Sequence, residues 1–182
     1  MKYLRIFIGL IKSYIYSLIS LGAFSFKFPI RFCKNASVEC GNGGKVILGK
    51  HVSLNRDAHL YVTNQGVLKI GSYTGIGDHN VIVAREKIEI GDNVMIGPNV
   101  EIYDHDHVFK TPGVMRNLGY NTAPVIIEDN VWLGAGVIVL KGVTIGEGSV
   151  IAAGTIVNKD IPKNSIVYNK KELIIKERIE GI

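Results

Sequence analysis

Residues 88–102 read IEIGDNVMIGPNVEI, and within them an aliphatic residue returns every six positions, at Ile90, Ile96 and Ile102. A valine stands four positions after each of the first two of these residues. A fixed period is the sequence signature of a repeat architecture. The extent of this pattern along the chain therefore decides the fold.

The six-residue pattern extends in both directions and forms five groups of three. Each group opens with an aliphatic residue, in most cases followed by glycine; these five residues are Leu48, Ile70, Ile90, Ile127 and Ile145. If each hexapeptide forms one short strand, three of them make a coil with three flat faces. The aliphatic residues then point inward, and Gly or Asn allows the backbone to turn at the corners. The sequence predicts a triangular parallel β-helix of about five coils, stacked along one axis.

Basic residues are concentrated at the N-terminal end of the chain. Residues 1–34 contain six Lys and Arg residues and no Asp or Glu, although the formal charge of the whole chain is only +5. The rest of the chain is therefore close to neutral. A protein that neutralises nucleic-acid phosphates needs a basic stripe on its folded body. We therefore expect no nucleic-acid partner.

The segment 1–34 is apolar as well as basic, and its pattern predicts an amphipathic helix. The apolar residues at helical spacing are Leu4, Phe7, Ile8, Ile11, Ile15, Leu18 and Ile19. The uncharged stretch between Lys12 and Lys27 is shorter than the ~20 residues that cross a bilayer, and no cleavage site follows it. Two interpretations stay open. In the first, the protein is cytoplasmic and residues 1–28 lie on the inner face of the membrane. In the second, the helix packs on its own domain or on a neighbouring subunit.

We assign residues 35–168 to the β-helix and residues 169–182 to a short helical cap. Four phrases in this part of the chain carry a family resemblance. They are IGDNVMIGPNV at 90–100, DNVWLGA at 129–135, GVTIG at 142–146 and AGTIVNKDIP at 153–162.

With these phrases, residues 46–162 resemble the hexapeptide-repeat acyltransferases, in particular the maltose and galactoside O-acetyltransferases and the O-acetyltransferases of bacterial surface polysaccharides. The resemblance implies a left-handed parallel β-helix and a homotrimer. It also implies that acetyl-CoA binds in the groove between neighbouring subunits, with no metal ion required.

The same resemblance implies a catalytic histidine seven residues after the valine of the Pro-Asn-Val phrase. Counting from Val100 leads to His107. His105 is a competitor, because alternation along a regular strand places both imidazoles on the same side. A sugar hydroxyl attacks a thioester only when a base removes its proton, and neutral imidazole suits that task. We favour His107, and either Asp104 or Asp106 could orient its ring.

The two histidines stand immediately before the longest interruption of the repeat. Ile90 and Ile127 are 37 residues apart, which is 19 more than one coil requires. Such a long excursion in a compact domain is usually functional. We expect residues 106–124, including Arg116 and Tyr120, to form an arm that reaches a neighbouring subunit and contacts substrate. The alternative is a disordered loop.

Further positions follow from the resemblance. The backbone at Ala135 and Ala153 corresponds to positions that bind the pantetheine amides of the coenzyme. Lys159 corresponds to a basic residue near the coenzyme phosphates, and Trp132 would help to wall the groove.

Polar residues of the acceptor site correspond loosely to the region of Asp78 and Asn80. The chain departs from the family after its Asp-Ile-Pro phrase, which weakens any assignment of how the adenine end is held. It also carries the basic N-terminal segment in place of the usual helical domain of the maltose type. We therefore expect a cell-surface glycan precursor, and not a soluble disaccharide, as the acceptor.

The sequence thus predicts an acetyl-CoA-dependent sugar O-acetyltransferase that acts by direct transfer. A close variant is N-acetylation of an amino sugar on a nucleotide carrier. Two less favoured alternatives are a zinc carbonic anhydrase of the β-helix type, with His79, His105 and His107 as ligands, and a non-catalytic trimeric scaffold. Metal analysis distinguishes the first of these two, and coenzyme binding distinguishes the second.

Overall fold

The computed structural model describes residues 2–19 and 22–170, and in this part of the chain a helix, α1 (Lys2–Ile19), precedes a parallel β-helix. The strands run in turn through three sheets, so that each coil gives one strand to each sheet. This is the predicted architecture. Of the predicted helical cap, residues 171–182 lie outside the described residues.

The first three coils are β1 (Phe24–Phe26), β2 (Arg31–Phe32), β3 (Ser37–Cys40); β4 (Lys45–Leu48), β5 (Ser53–Leu54), β6 (His59–Val62); and β7 (Val67–Ile70), β8 (Gly75–Ile76), β9 (Val81–Ala84). The fourth coil is β10 (Lys87–Ile90), β11 (Met95–Ile96) and β12 (Glu101–Tyr103). A ribbon of β13 (His105–His107) and β14 (Tyr120–Thr122), with a 3₁₀ helix (Met115–Asn117) between them, then leaves the coil. The last coils are β15 (Val125–Ile127), β16 (Trp132–Leu133), β17 (Ile138–Val139); and β18 (Thr144–Ile145), β19 (Val150–Ile151), β20 (Ile156–Val157), after which β21 (Ile166–Val167) extends the second sheet.

The strands of each coil lie in the first, second and third sheet in that order. We call the turn between the first and second sheets the first corner, the turn between the second and third sheets the second corner, and the turn from the third sheet to the next coil the third corner.

The core consists of inward side chains that stack from coil to coil. The five residues that open the predicted groups form one column of consecutive parallel partners, Leu48, Ile70, Ile90, Ile127 and Ile145. All five are buried. Burial of each such side chain contributes roughly 1.5–3 kcal/mol. The predicted inward positions are therefore confirmed.

The structure has six coils where the sequence predicted about five. The additional coil comes first and begins at Phe24, which pairs with Val46, while Phe32 pairs with Leu54. Its inward strand positions hold Phe24 and Phe32 in the first two sheets and Val38 in the third, and no glycine follows any of them. For this reason the aliphatic hexapeptide pattern does not register there, and the coil starts inside the segment 1–34.

Two kinds of position at the corners constrain the sequence in different ways. Asn93 and Asn130 both have φ of 57°, in the left-handed region that a tight corner requires and that Asn tolerates. Gly77 has no such backbone. A Cβ at Gly77 would instead lie 2.5 Å from the carbonyl oxygen of Gly97 in the next coil. The glycine that follows an inward residue therefore allows the backbones of two coils to approach closely.

Gly77→Ala is expected to lower the stability of the protein by roughly 1–3 kcal/mol, because the added methyl group meets backbone that cannot move aside. Gly75→Ala is the matched control, since a Cβ there lies 3.5 Å from Ser53 Oγ, an ordinary contact. Thermal unfolding at one protein concentration should give a melting temperature several degrees lower for the first variant only. Equal melting temperatures would contradict this account of the glycines.

Helix α1 covers the first coil with one of its faces. Tyr16 packs on Phe24 and Phe32, with ring centroids 5.9 and 5.7 Å away. Gly9 lies so close to the Ile30 carbonyl that a side chain there would collide with it. The packing of the helix on its own domain, one of the two interpretations, is thus present.

Other apolar residues of the helix are exposed to solvent on their outer side. The exposed ones are Phe7, Ile8, Ile11, Ile15 and Leu18. Within residues 2–19 and 22–170, no helix combines the length and the hydropathy that crossing a membrane requires.

Candidate functional site

A buried carboxylate fixes the point where the ribbon leaves the coil. Asp104 follows β12 at the third corner and is 0% exposed. It accepts backbone N–H bonds from Arg85 and Glu86, in the turn before β10, and from Lys87, the first residue of β10, at 2.9, 2.8 and 2.8 Å. Because charge-assisted bonds of this kind are strong, Asp104 ties the ribbon firmly to the β-helix.

His105 is held by this carboxylate. Its Nδ1 lies 3.1 Å from Asp104 Oδ1, and its side chain is only 12% exposed. A carboxylate only accepts, so Nδ1–H donates and the lone pair is left on Nε2. Tyr103 and Tyr120 meet the imidazole edge-on. Burial, together with the hydrogen bond from Tyr103 to Glu101, raises the pKa of Tyr103, which keeps this hydroxyl protonated.

His107 has the opposite environment. It pairs with Tyr120 across the antiparallel ribbon, and the two rings lie 4.5 Å apart. The residue is exposed, and no hydrogen bond joins its imidazole to any other described residue. His107 is therefore open to a bound molecule, whereas His105 is oriented but largely enclosed.

Arg85 supports the ribbon from behind and was not among the residues predicted from the sequence. Its guanidinium carbon lies 3.5 Å from the centroid of the Tyr120 ring, within cation–π distance. Its Nε is buried and has no hydrogen-bond partner among the described residues. Tyr120 thus contacts both Arg85 and His107. The sequence carries no signal for this contact, because it forms only when the ribbon folds back over the third corner.

The interruption of the repeat is an ordered ribbon at its base. His105 pairs with Thr122 and Asp106 pairs with Asn121. Asp106 Oδ2 also lies 3.7 Å from Lys141 Nζ in the following coil, which adds a second tie. Arg116 lies far out on the ribbon, exposed in the 3₁₀ helix.

Three of the four predicted coenzyme residues lie at or beside the second corner, whereas Lys159 follows β20 at the third corner. Ala135 and Ala153 occupy equivalent positions of consecutive coils at the second corner, where Gly154 N–H donates to Ala135 C=O. Both alanines are exposed, and their own N–H groups have no acceptor among the described residues. Trp132 is half exposed on the adjoining strand, and Lys159 is exposed after β20. The second corner thus presents two unused donors beside an aromatic wall.

The two predicted acceptor residues lie in contrasting places. Asp78 stands in the same row of the second corner, two coils before Ala135, where Arg56 binds it at 2.7 Å. Asn80 is completely buried in the core, and its Oδ1 accepts the N–H of Val100. The equivalent residues of the other coils also point into the core. The Asn80 side chain is therefore not accessible to a ligand.

Within one chain, therefore, the structure brings His105, His107 and Tyr120 together at the third corner and Ala135, Ala153 and Trp132 together at the second. The described residues contain no group of three or more His, Cys, Asp or Glu arranged to hold a metal ion.

The chain is similar to known acyltransferases and acetyltransferases over most of the β-helix. Residues 124–159 match the family model described as the hexapeptide repeat of succinyl-transferase. The chain is 31% identical over 146 residues to WbbJ of Escherichia coli K12, named as a candidate O-acetyl transferase of lipopolysaccharide biosynthesis. This match covers 75% of the chain and 74% of WbbJ. The chain is also 52% identical over 81 residues to the galactoside O-acetyltransferase of Lactococcus lactis, covering 44% of the chain and 39% of that enzyme.

Four curated relatives that are 40–55% identical are matched over only 38–59% of their own length. Among solved structures, the hexapeptide-repeat-containing acetyltransferase VCA0836 of Vibrio cholerae, crystallised with acetyl coenzyme A, superposes with a TM-score of 0.56. The two chains are 26% identical, and the match covers 85% of this chain and 71% of that one.

Proposed function

The chain belongs to the hexapeptide-repeat acyltransferase family, and on that premise we propose that it transfers the acetyl group of acetyl-CoA to a carbohydrate hydroxyl in the biosynthesis of a bacterial surface polysaccharide. The observation that carries the proposal is the exposed imidazole of His107 on a ribbon anchored by Asp104. The names of two relatives, a galactoside O-acetyltransferase and WbbJ, support a sugar as the acceptor.

In the proposed reaction, His107 is the general base. One of its ring nitrogens takes the proton of the acceptor hydroxyl while the hydroxyl oxygen bonds to the thioester carbonyl carbon. The C–S bond then breaks, and the sulfur takes the proton from the imidazolium. The products are an acetyl ester and free coenzyme A. His107 is preferred to His105 because a base must reach the acceptor, and only His107 is exposed.

His105, Tyr120 and Arg85 act as positioning residues in this proposal. His105 is fixed to Asp104 and holds the first residue of the ribbon. Tyr120 provides a flat surface for the His107 ring, and Arg85 holds the Tyr120 ring through a cation–π contact. Because these contacts limit the orientations of an exposed side chain, they lower the entropy lost when substrate binds.

The coenzyme is proposed to bind along the second corner. The unused N–H groups of Ala135 and Ala153 would donate to the amide carbonyls of its pantetheine arm. Trp132 would pack against that arm, and the exposed ammonium group of Lys159 would attract the phosphates. The crystal structure of VCA0836 with acetyl coenzyme A supports this class of donor.

We propose that the complete site forms between subunits of a homotrimer. The base lies at the third corner and the coenzyme donors at the second, so a neighbouring copy can bring the two together. An exposed apolar row on the second sheet, Met95, Trp132 and Ile166, offers surface for such a neighbour. Phe109 and Val114 on the ribbon are exposed as well and could reach it.

Asp78, Tyr120 and Arg116 are proposed to contact the acceptor, the last two from the ribbon. We also propose that the protein is cytoplasmic and associates peripherally with the inner face of the membrane through residues 1–28. The exposed apolar side of α1 and the absence of acidic residues from this segment support that placement.

The test measures transfer of label from radiolabelled acetyl-CoA to sugars and amino sugars. The full chain is first fractionated by sedimentation, and each fraction is assayed. Activity should sediment with a species of three chains, and mild base should release the label, because esters are labile and amides are not. Label that resists base would reassign the reaction to N-acetylation. A protein that binds no acetyl-CoA would contradict the proposal, and an active monomer would contradict the intersubunit site.

A further inference from the structure

A cleft of about 590 Å³ lies between α1 and the first coils, at the N-terminal end of the second corner. It is formed by two side chains of the helix and by residues of the coils beneath it. Its lining consists of Ile8, Lys12, Arg31, Phe32, Cys33, Lys34, Asn55, Arg56 and Asp78. None of the proposed base or coenzyme residues takes part in it, and of the proposed acceptor residues it contains Asp78 alone.

The cleft is cationic. Four of its lining residues are basic and one is acidic. The acidic residue, Asp78, is paired with Arg56, whose hydrogen bond holds the pKa of that carboxyl below its ordinary value. Lys12, Arg31 and Lys34 have no ion pair with any described residue. The cavity is thus lined by three basic residues that have no counter-charge of their own in the described part of the chain.

The cleft is continuous with the exposed apolar side of α1. Ile8 lines the cleft and is 42% exposed on the helix. Ile11, Ile15 and Leu18 follow along the helix, and Leu18 is 83% exposed. A ligand of the cleft would therefore be bound beside a surface that prefers an apolar environment. A lipid, which joins an anionic phosphate to acyl chains, has both properties.

We propose that this cleft binds the phosphate group of an anionic membrane phospholipid while the apolar side of α1 enters the interface of the bilayer. The inference rests on the membrane association proposed above and is independent of acetyl transfer. The row of equivalent residues at the second corner runs from Lys34 through Arg56, Asp78 and Pro98 to Ala135. With about 4.8 Å between coils, the phosphate site would lie roughly 19 Å from the coenzyme donors.

The test uses the full chain and sedimentation with vesicles of phosphatidylcholine, with or without about 30% phosphatidylglycerol. Arg31→Gln/Lys34→Gln should lower binding to the anionic vesicles by roughly tenfold or more, since each basic residue near the surface contributes about fivefold. The matched control, Lys45→Gln/Lys50→Gln, removes the same charge from exposed positions outside the cleft and should change binding by less than about threefold. Equal losses in the two double variants would overturn the site.

Three further variants separate the effect of the cleft from the effects of net charge and of the helix. Asp78→Asn releases Arg56 and should strengthen binding to the anionic vesicles, whereas Glu39→Gln, an equal change of charge on the exposed side of β3, should not. Ile15→Gln/Leu18→Gln should weaken binding to both kinds of vesicle. If the helix variant binds as the wild type does, the bilayer is not the partner.

The source of the phosphate is tested by competition. Glycerol 3-phosphate at constant ionic strength should not displace the protein from vesicles, because it lacks the acyl chains. Displacement at micromolar concentration would assign the cleft to a soluble phosphate and overturn the lipid. Acetyl transfer to a soluble acceptor, measured on Arg31→Gln/Lys34→Gln, should be unchanged. Vesicle binding tests the cleft and acetyl transfer tests the proposed function. The failure of one proposal can therefore be distinguished from the failure of the other.

Discussion

His107→Ala is expected to lower kcat by roughly 10²–10⁴, with a much smaller change in the affinity for acetyl-CoA. The imidazole acts on the acceptor hydroxyl during transfer, whereas the proposed coenzyme contacts come from the backbone of Ala135 and Ala153 and from Lys159. The measurement is steady-state transfer to the best acceptor, together with the dissociation constant for acetyl-CoA from direct titration.

His59→Ala is the matched control, because this exposed histidine lies on the second coil and bonds only to Ser37 Oγ among the described side chains. It should leave kcat within about twofold of the wild type. His105→Ala should have a milder effect on kcat than His107→Ala and should lower the melting temperature. The reverse ranking would give the role of base to His105. Near-normal activity in both variants would remove the ribbon from the chemistry.

Asp104→Ala is expected to lower the free energy of unfolding by about 3 kcal/mol or more and to reduce kcat as well. Three backbone N–H groups would lose their acceptor in a place that water does not reach, and each such loss costs about 1–3 kcal/mol. The ribbon would also lose the tie that fixes its first residue. Urea unfolding, followed at one protein concentration, measures the first effect.

Asp106→Ala is the control for the loss of a carboxylate from the same ribbon. Asp106 is half exposed and its pair with Lys141 is long, so its removal should change the stability by less than about 1 kcal/mol. Asp104→Asn keeps one acceptor oxygen and should fall between Asp104→Ala and the wild type. If Asp104→Ala were no less stable than Asp106→Ala, the buried carboxylate would not anchor the ribbon.

The fold could be predicted from the sequence because its core is a column of like residues. Leu48, Ile70 and Ile90 must stack on one another, so a strict spacing is imposed on the chain. The first coil follows the same geometry with Phe24 and Phe32, and a rule that searches for aliphatic residues followed by glycine passes over it.

The environment of the candidate base was only partly accessible from the sequence. Alternation from the inward Ile102 places Asp104 inward as well, so its burial could have been predicted from the period of the strand. Likewise, Asn80 stands at a position that holds inward residues in the other coils, and its burial follows from that. The stacking of Arg85 on Tyr120 depends on how a long insertion folds back, which no local pattern records.

The close contact between Gly9 and the Ile30 carbonyl has a consequence for the assembly of the molecule. The outer edge of the first coil carries backbone groups that would otherwise be available to another strand. They include the Ile30 carbonyl and the amide nitrogen of Phe32, and a Cβ at Gly9 would lie 3.3 Å from that nitrogen. An uncovered edge of a parallel sheet is a template on which further chains can polymerise. By lying across this edge at β1 and β2, α1 blocks the addition of further strands there, which disfavours end-to-end association of the β-helices.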